Sequence, residues 1–242
     1  EVLLLADFPG LSVSGLRPTE IGGAIGLRLG GVARSEMPDR VLRRLLDIVV
    51  AALMLLVALP VLALASAAVY AVDPGPVLYR QKREGLGGRQ VRILKLRTMY
   101  QDAETRLETL LTADPRAREE WSTHFKLRND PRILPGIGGI LRKTSIDELP
   151  QLLNVLAGDM SLVGPRPLPD YHLAAMEASF QARRSSVIPG LTGLWQISER
   201  SAADLSRLQQ LDEFYVNNRS FWLDVHILLK TPRAVVRGDG AY

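Results

Sequence analysis

The sequence predicts an α+β chain, mostly helical, in which a re-entrant membrane helix with a proline break is combined with amphipathic interfacial helices and a small β-hairpin. Three observations predict this class. Residues 48–72 carry no charge, and about 20 apolar residues are enough to span a bilayer. The stretch PVLYRQKREGLGGRQVRILKLRTM reads as two strands joined by a GLGG turn. In SIDELPQLLNVL, the residues Ile146, Leu149, Leu152, Leu153 and Leu156 form one helical stripe.

Composition narrows the functional classes. A chain of 242 residues holds one catalytic domain, or a domain with an anchor. Hydrophobic residues make up 47% and charged residues 23%, which excludes both a disordered chain and a polytopic membrane protein. The net charge of +4 favours an anionic partner: phospholipid, a phosphorylated substrate or nucleic acid. No nucleic-acid recognition motif or concentrated basic stripe accompanies that charge, so nucleic acid is not an expected partner. With no cysteine, a disulfide framework and a thiolate metal site are excluded.

The composition splits the chain into three regions. Residues 1–37 hold a short apolar strand, EVLLLADF, and the glycine-rich IGGAIGLRLGGVAR, which fits neither GxGxxG nor GxxxxGK[ST]. They read as a tail or linker from a missing N-terminal domain. Residues 38–72 are the membrane segment, with Asp39 as its cap and Arg40, Arg43, Arg44 and Asp47 in the first turns. Pro60, near the middle, removes one helix hydrogen bond and predicts a kink. Basic residues flank the run on both sides: Arg40, Arg43 and Arg44 before it, Arg80, Lys82 and Arg83 after it. Positive charge marks the cytoplasmic side, so a helix that enters, bends at Pro60 and returns satisfies both ends. A simple kinked transmembrane helix and a buried core helix are the alternatives. Residues 73–242 form the soluble-looking part, where a catalytic domain is expected. Its expected elements are the hairpin, a charged helix over 102–126, a helix from Ser145 to Gly158, and helices over 169–183, 203–217 and 221–236. Ser145 with Glu148 three residues on matches a capping box, and Gly158 is the stop.

That capping places the adjacent acids Asp147 and Glu148 in a first helical turn, where backbone N–H groups favour anions. Successive side chains diverge by about 100°, so one carboxylate can address phosphorus while the other holds a cation. The plainer reading is that both are ordinary first-turn stabilisers. Arg142 and Arg166 lie within reach of the pair, the latter held between Pro165 and Pro167. A guanidinium matches phosphate oxygens in bidentate fashion. Lys95 and Arg97 alternate to one face of the second strand, as a phosphate clamp or as a solvated surface. His124, His172 and His226 have no metal-ligand spacing.

Taken together, RRLLDIVVA with a proline in the apolar run, DPGPVLYRQKREG, ILKLRTM, LRNDPRI, LRKTSIDELPQLLNVLAGDMSLVGPRP, PGLTGLWQI and FWLDVHILLKT cover residues 40–232 in order. This set resembles the bacterial sugar transferase family, the monotopic polyprenyl-phosphate phosphoglycosyltransferases. The segment before the anchor resembles the large undecaprenyl-phosphate galactose phosphotransferase type. One departure is Leu59 before Pro60, where some small members have Ser-Pro. The resemblance implies transfer of a sugar-1-phosphate from a UDP-sugar, galactose favoured, to undecaprenyl phosphate, with release of UMP, as the first membrane step of O-antigen, capsule or exopolysaccharide synthesis. It implies Asp147 as nucleophile through an aspartyl phosphosugar intermediate, Glu148 as ligand of Mg²⁺, and Arg142, Arg166, Lys95 and Arg97 around the substrate phosphates. The implied location is the bacterial inner membrane with the catalytic domain on the cytoplasmic face, in contact with phospholipid and open to homodimer formation. UDP-glucose, a UDP-N-acetylsugar and an inactive membrane scaffold remain as alternatives.

Overall fold

The computed structural model describes residues 16–21, 24–29, 36–124, 127, 129–173, 176–198 and 205–237. The chain divides into two compact units, Glu1–Val41 and Leu42–Tyr242. In the first, β1 (Leu16–Ile21) and β2 (Ala24–Leu29) pair antiparallel, with Leu16 opposite Leu29 and Ile21 opposite Ala24. This hairpin occupies part of the glycine-rich stretch read from sequence as a linker. The EVLLLADF strand lies outside the described residues.

Helix α1 (Glu36–Val72) is 37 residues long and contains Pro60. It starts before Asp39, which therefore sits inside the helix and is not its cap. Pro38 fits the first turn because an N–H there has no intrahelical partner to lose. Helical assignment is continuous through Pro60. One face of α1 is buried at Asp47, Ala51, Ala58, Ala65 and Val69, while Leu53, Leu56, Val57 and Leu64 are exposed. The helix is long and apolar enough to cross a membrane.

After α1 comes the predicted hairpin. β3 (Leu78–Glu84) and β4 (Gln90–Leu96) pair antiparallel from Leu78 opposite Leu96 to Glu84 opposite Gln90. The helix expected over 102–126 is two helices, α2 (Ala103–Ala113) and α3 (Pro115–His124). Pro115 is the cause. It pushes the preceding Asp114 into an extended conformation, φ −122° and ψ 107°. Then come α4 (Ile137–Lys143), α5 (Gln151–Ala157) and β5 (Ser161–Val163). The helix expected over 169–183 is likewise divided, into α6 (Asp170–Leu173) and α7 (Ala178–Ser185). β6 (Gly190–Thr192) pairs in parallel with β5, and α8 (Leu194–Ser198), α9 (Leu205–Asn218) and α10 (Phe221–Arg237) follow. The β5–β6 pair depends on glycine. A Cβ at Gly190 would lie 2.0 Å from the backbone nitrogen of Gly164.

Two buried clusters hold the hairpin against the helices. The larger joins Ala51 of α1 and Ile93 of β4 to Leu152, Val155, Met160, Leu162, Tyr215 and Ile227. The second joins Ala65 and Val69 of α1 to Leu96, Leu134 and Leu141. Polar bonds pin the same joints. Asn154 on α5 accepts from Leu94 N–H at 2.9 Å and donates to Arg92 C=O at 2.8 Å. Arg44 on α1 donates to the last carbonyls of α5, Val155 at 2.6 Å and Leu156 at 2.8 Å. Asp47 accepts from Leu162 N–H at 2.8 Å and from the Ser161 hydroxyl at 3.1 Å.

Candidate active site

The acid pair sits between α4 and α5. Ser145 turns the chain with φ 58°, the one positive-φ residue other than glycine among the described residues. A short 3-10 turn, Ile146–Glu148, follows, and Pro150 precedes α5. The capping box expected from sequence does not form. Ser145 makes no side-chain cap bond, and its left-handed backbone aims the chain into a separate turn. The turn is nailed down on both sides, because Ile146 packs on the second cluster and Leu149 on the first. Gly158, with φ 92°, closes α5 as expected, its N–H reaching Asn154 and Val155 carbonyls.

Glu148 lies among cations. Its Oε1 accepts from Lys95 Nζ at 2.8 Å and from Arg166 Nη2 at 2.6 Å, and Oε2 takes a longer contact of 3.4 Å from Arg166 Nη1. Burial works to raise its carboxyl, but the charges and hydrogen bonds of Arg166 and Lys95 hold it well below the usual carboxylate range. Glu148 in turn raises the Arg166 guanidinium above its ordinary value. Asp147 is different. It is 7% exposed, and its Oδ1 is buried without a hydrogen-bond partner. Burial, and then the negative charge of Glu148, push its carboxyl up to about 6, against the pull of Lys95, Arg142 and Arg166. The two neighbours thus diverge: one locked as an anion, the other ionising near neutrality with an orphaned oxygen.

Arg142, on the last turn of α4, donates from Nε to Thr98 Oγ1 at 3.0 Å. Burial lowers its guanidinium, opposed by the charge of Asp147. The approach of α4 to Thr98 relies on Gly138, where a Cβ would meet the Thr98 carbonyl oxygen at 2.5 Å. Arg97 does not join this group. It lies just past β4 and is bound by the carboxylate and carbonyl of Asp73, the residue that follows α1. Of the residues singled out in the sequence, Asp147, Glu148, Arg142, Arg166 and Lys95 therefore converge, Arg97 serves the end of α1, and Pro60 lies within α1. Thr98 and the buried Arg184 were not legible beforehand. Each acts over a sequence distance that carries no local pattern.

Residues 38–238 match the model of the bacterial sugar transferase family. The chain belongs to that family. As a sugar transferase it is similar to the undecaprenyl-phosphate galactose phosphotransferase of Salmonella typhimurium, 42% identical over 219 residues, covering 86% of this chain and 43% of that protein. The exopolysaccharide production protein ExoY of Rhizobium meliloti is 41% identical over 202 residues, covering 83% of this chain and 88% of that one. The UDP-glucose:undecaprenyl-phosphate glucose-1-phosphate transferase of Caulobacter vibrioides is 38% identical over 239 residues, 93% of this chain and 82% of that protein. The chain spans less than half the length of the large curated relatives it matches. For this sugar transferase, then, the acid pair and its cations are the candidate active site.

Proposed function

We propose that the chain transfers a sugar-1-phosphate from a UDP-sugar to undecaprenyl phosphate, with galactose as the favoured sugar. The observation that carries this reading is the divergent acid pair. Asp147 has a buried oxygen with no hydrogen-bond partner, beside a Glu148 held anionic by Lys95 and Arg166. A carboxylate nucleophile has to be ionised and not tied up in hydrogen bonds. Asp147 attacks the sugar-bearing β-phosphorus, a new O–P bond forms, and the bond to the bridging oxygen breaks as UMP leaves. An oxygen of the lipid phosphate then attacks the same phosphorus and releases Asp147 as a carboxylate. Arg142 and Arg166 steady the charge on the non-bridging oxygens, with Lys95 beside them.

Glu148 fits a Mg²⁺ ion that arrives with substrate. Mg²⁺ commonly takes one or two carboxylates together with substrate phosphates and water. The Oε2 atom, with only a 3.4 Å contact, is the oxygen left for it. When bound, the ion offsets diphosphate charge.

The same reading puts the chain on the cytoplasmic face of the inner membrane through a re-entrant α1 bent at Pro60. Both halves of α1 pack on neighbouring parts of one domain. Ala51 shares a cluster with Ile93, and Val69 shares one with Leu96. Pro60, which removes one helix hydrogen bond, is the place for the bend, and Leu53, Leu56, Val57 and Leu64 on the exposed face are the residues that dip into lipid.

A specific observation also favours UDP-glucose: the relative named for glucose transfer is matched along 93% of this chain. The deciding experiment is UMP release from a panel of UDP-sugars with undecaprenyl phosphate, with and without a Mg²⁺ chelator. Release with one UDP-hexose, dependent on lipid phosphate for continued turnover and lost on chelation, is the expected result. No transfer from any UDP-sugar refutes the proposal.

A further inference from the structure

All three guanidinium nitrogens of Arg184 donate to buried or half-buried acceptors. Its side chain is 3% exposed. Nε donates to Asp212 Oδ2 on α9 at 2.8 Å, Nη1 donates to Glu84 Oε2 at the end of β3 at 2.8 Å, and Nη2 donates to the backbone carbonyl of Arg166. The two carboxylates are themselves buried, with side chains 5% and 10% exposed. Burying such an ion cluster is a weak source of stability, since apolar residues of similar volume usually do as well. What the cluster supplies is a fixed point. The guanidinium fork reaches α9, β3 and a loop at once, and the prong on the loop ends on the main chain of a site residue.

That residue needs one. Arg166 stands between Pro165 and Pro167 in a loop, and its side chain reaches Glu148 from a backbone that belongs to no helix or strand. Arg184 holds the backbone of Arg166 while Glu148 holds its side chain. A line of contacts thus runs from Asp212 through Arg184, Arg166 and Glu148 to Lys95. We propose that Arg184 is a positioning residue that sets where the Arg166 guanidinium meets the donor phosphates. This rests on the phosphate-binding reading of Arg166 given above. Lysine cannot replace it, because one ammonium nitrogen does not span three acceptors in a planar fork.

The test is a double-mutant cycle on the full chain in lipid, with Arg184→Lys, Arg166→Ala and the double variant. It measures sugar-phosphate transfer from UDP-galactose and UDP-glucose to undecaprenyl phosphate, per folded molecule. Arg184→Lys is expected to lower kcat/KM for the donor by about 10- to 100-fold, the scale of a misplaced binding group. The double variant is expected to be no slower than Arg166→Ala alone. A double variant slowed by the product of the two single losses overturns the proposal and leaves the role of Arg166 standing. A normal rate for Arg184→Lys overturns it too. A normal rate for Arg166→Ala removes the phosphate-binding reading, and the proposal with it. If Arg184→Lys does not fold, Asp212→Asn alters one anchor without changing its shape. A loss that disappears in the Arg166→Ala background supports the proposal, and equal losses in both backgrounds, or none, overturn it.

Discussion

Burial raises the Asp147 carboxyl to about 6, so keeping it ionised in the folded protein costs free energy that the unfolded chain, with an ordinary carboxyl near 3.8, does not spend. A carboxyl raised by folding contributes stability below its unfolded value and loses that contribution as pH rises through its folded value. Asp147→Asn is therefore expected to stabilise the protein by about 2–3 kcal/mol at pH 7.5, with most of that gain gone at pH 4. Thermal unfolding at the two pH values reads this directly, and a lower unfolding temperature at pH 7.5 contradicts it. The same substitution should cut transfer by orders of magnitude. In the parent protein the rate should climb as pH rises through about 6 and level off by about 8, because the attacking form is the anion; a rate that falls over that range contradicts the assignment. Much of this residue-level picture was legible in advance. Asp147, Glu148, Arg142 and Arg166 fall within one short segment, and adjacent acids near arginines can be recognised there. The opposite fates of the two acids were not, since they depend on the burial of Asp147 and on Arg166 and Lys95 closing on Glu148, the latter from a strand 53 residues away.

Asn154 joins β4 to α5 by a pair of bonds that mimic a strand neighbour, and it is 4% exposed. Asn154→Ala leaves the Leu94 N–H and the Arg92 carbonyl without that partner. The expected loss is about 2–4 kcal/mol, since each buried polar group left unpaired costs about 1–3 kcal/mol. Chemical denaturation in detergent measures it, and an unchanged midpoint contradicts the role given to this joint. The elements themselves divide by the range of the forces that shape them. The β3–β4 hairpin, the end of α5 at Gly158 and the last helix were readable, because alternation, a glycine stop and an apolar stripe are local. Breaks at Asp114–Pro115 and between α6 and α7 were missed where charge and helix propensity outweighed proline and loop signals. The β5–β6 pair, three residues a side, was hidden for a different reason. Its partners are far apart in sequence, and its requirement is the absence of side chains at Gly164 and Gly190.

For the molecule as a whole, the proposed bend fixes sidedness. Cysteines introduced at Leu42 and Lys82, in a chain that has none of its own, should both be shielded from an impermeant thiol reagent outside intact cells. Both should react once the inner membrane is opened. Labelling of either from outside establishes a crossing and refutes the bend. Pro60→Ala should shift the pattern toward a crossing and reduce transfer. The attachment of α1 has a further consequence for α5. One end of that helix carries the acid turn, and the other end is grasped by Arg44 from the membrane helix. Seven helical residues measure about 10 Å, so in the proposed function α5 is a spacer of set length, a gauge block between α1 and the attacking Asp147. A lipid phosphate has little vertical freedom in its headgroup layer, and an enzyme that meets it there needs its reactive oxygen at one height. Lengthening α5 by one residue would move that oxygen by about 1.5 Å along the helix axis and swing it by about 100°, which would take it out of register with a substrate that cannot follow.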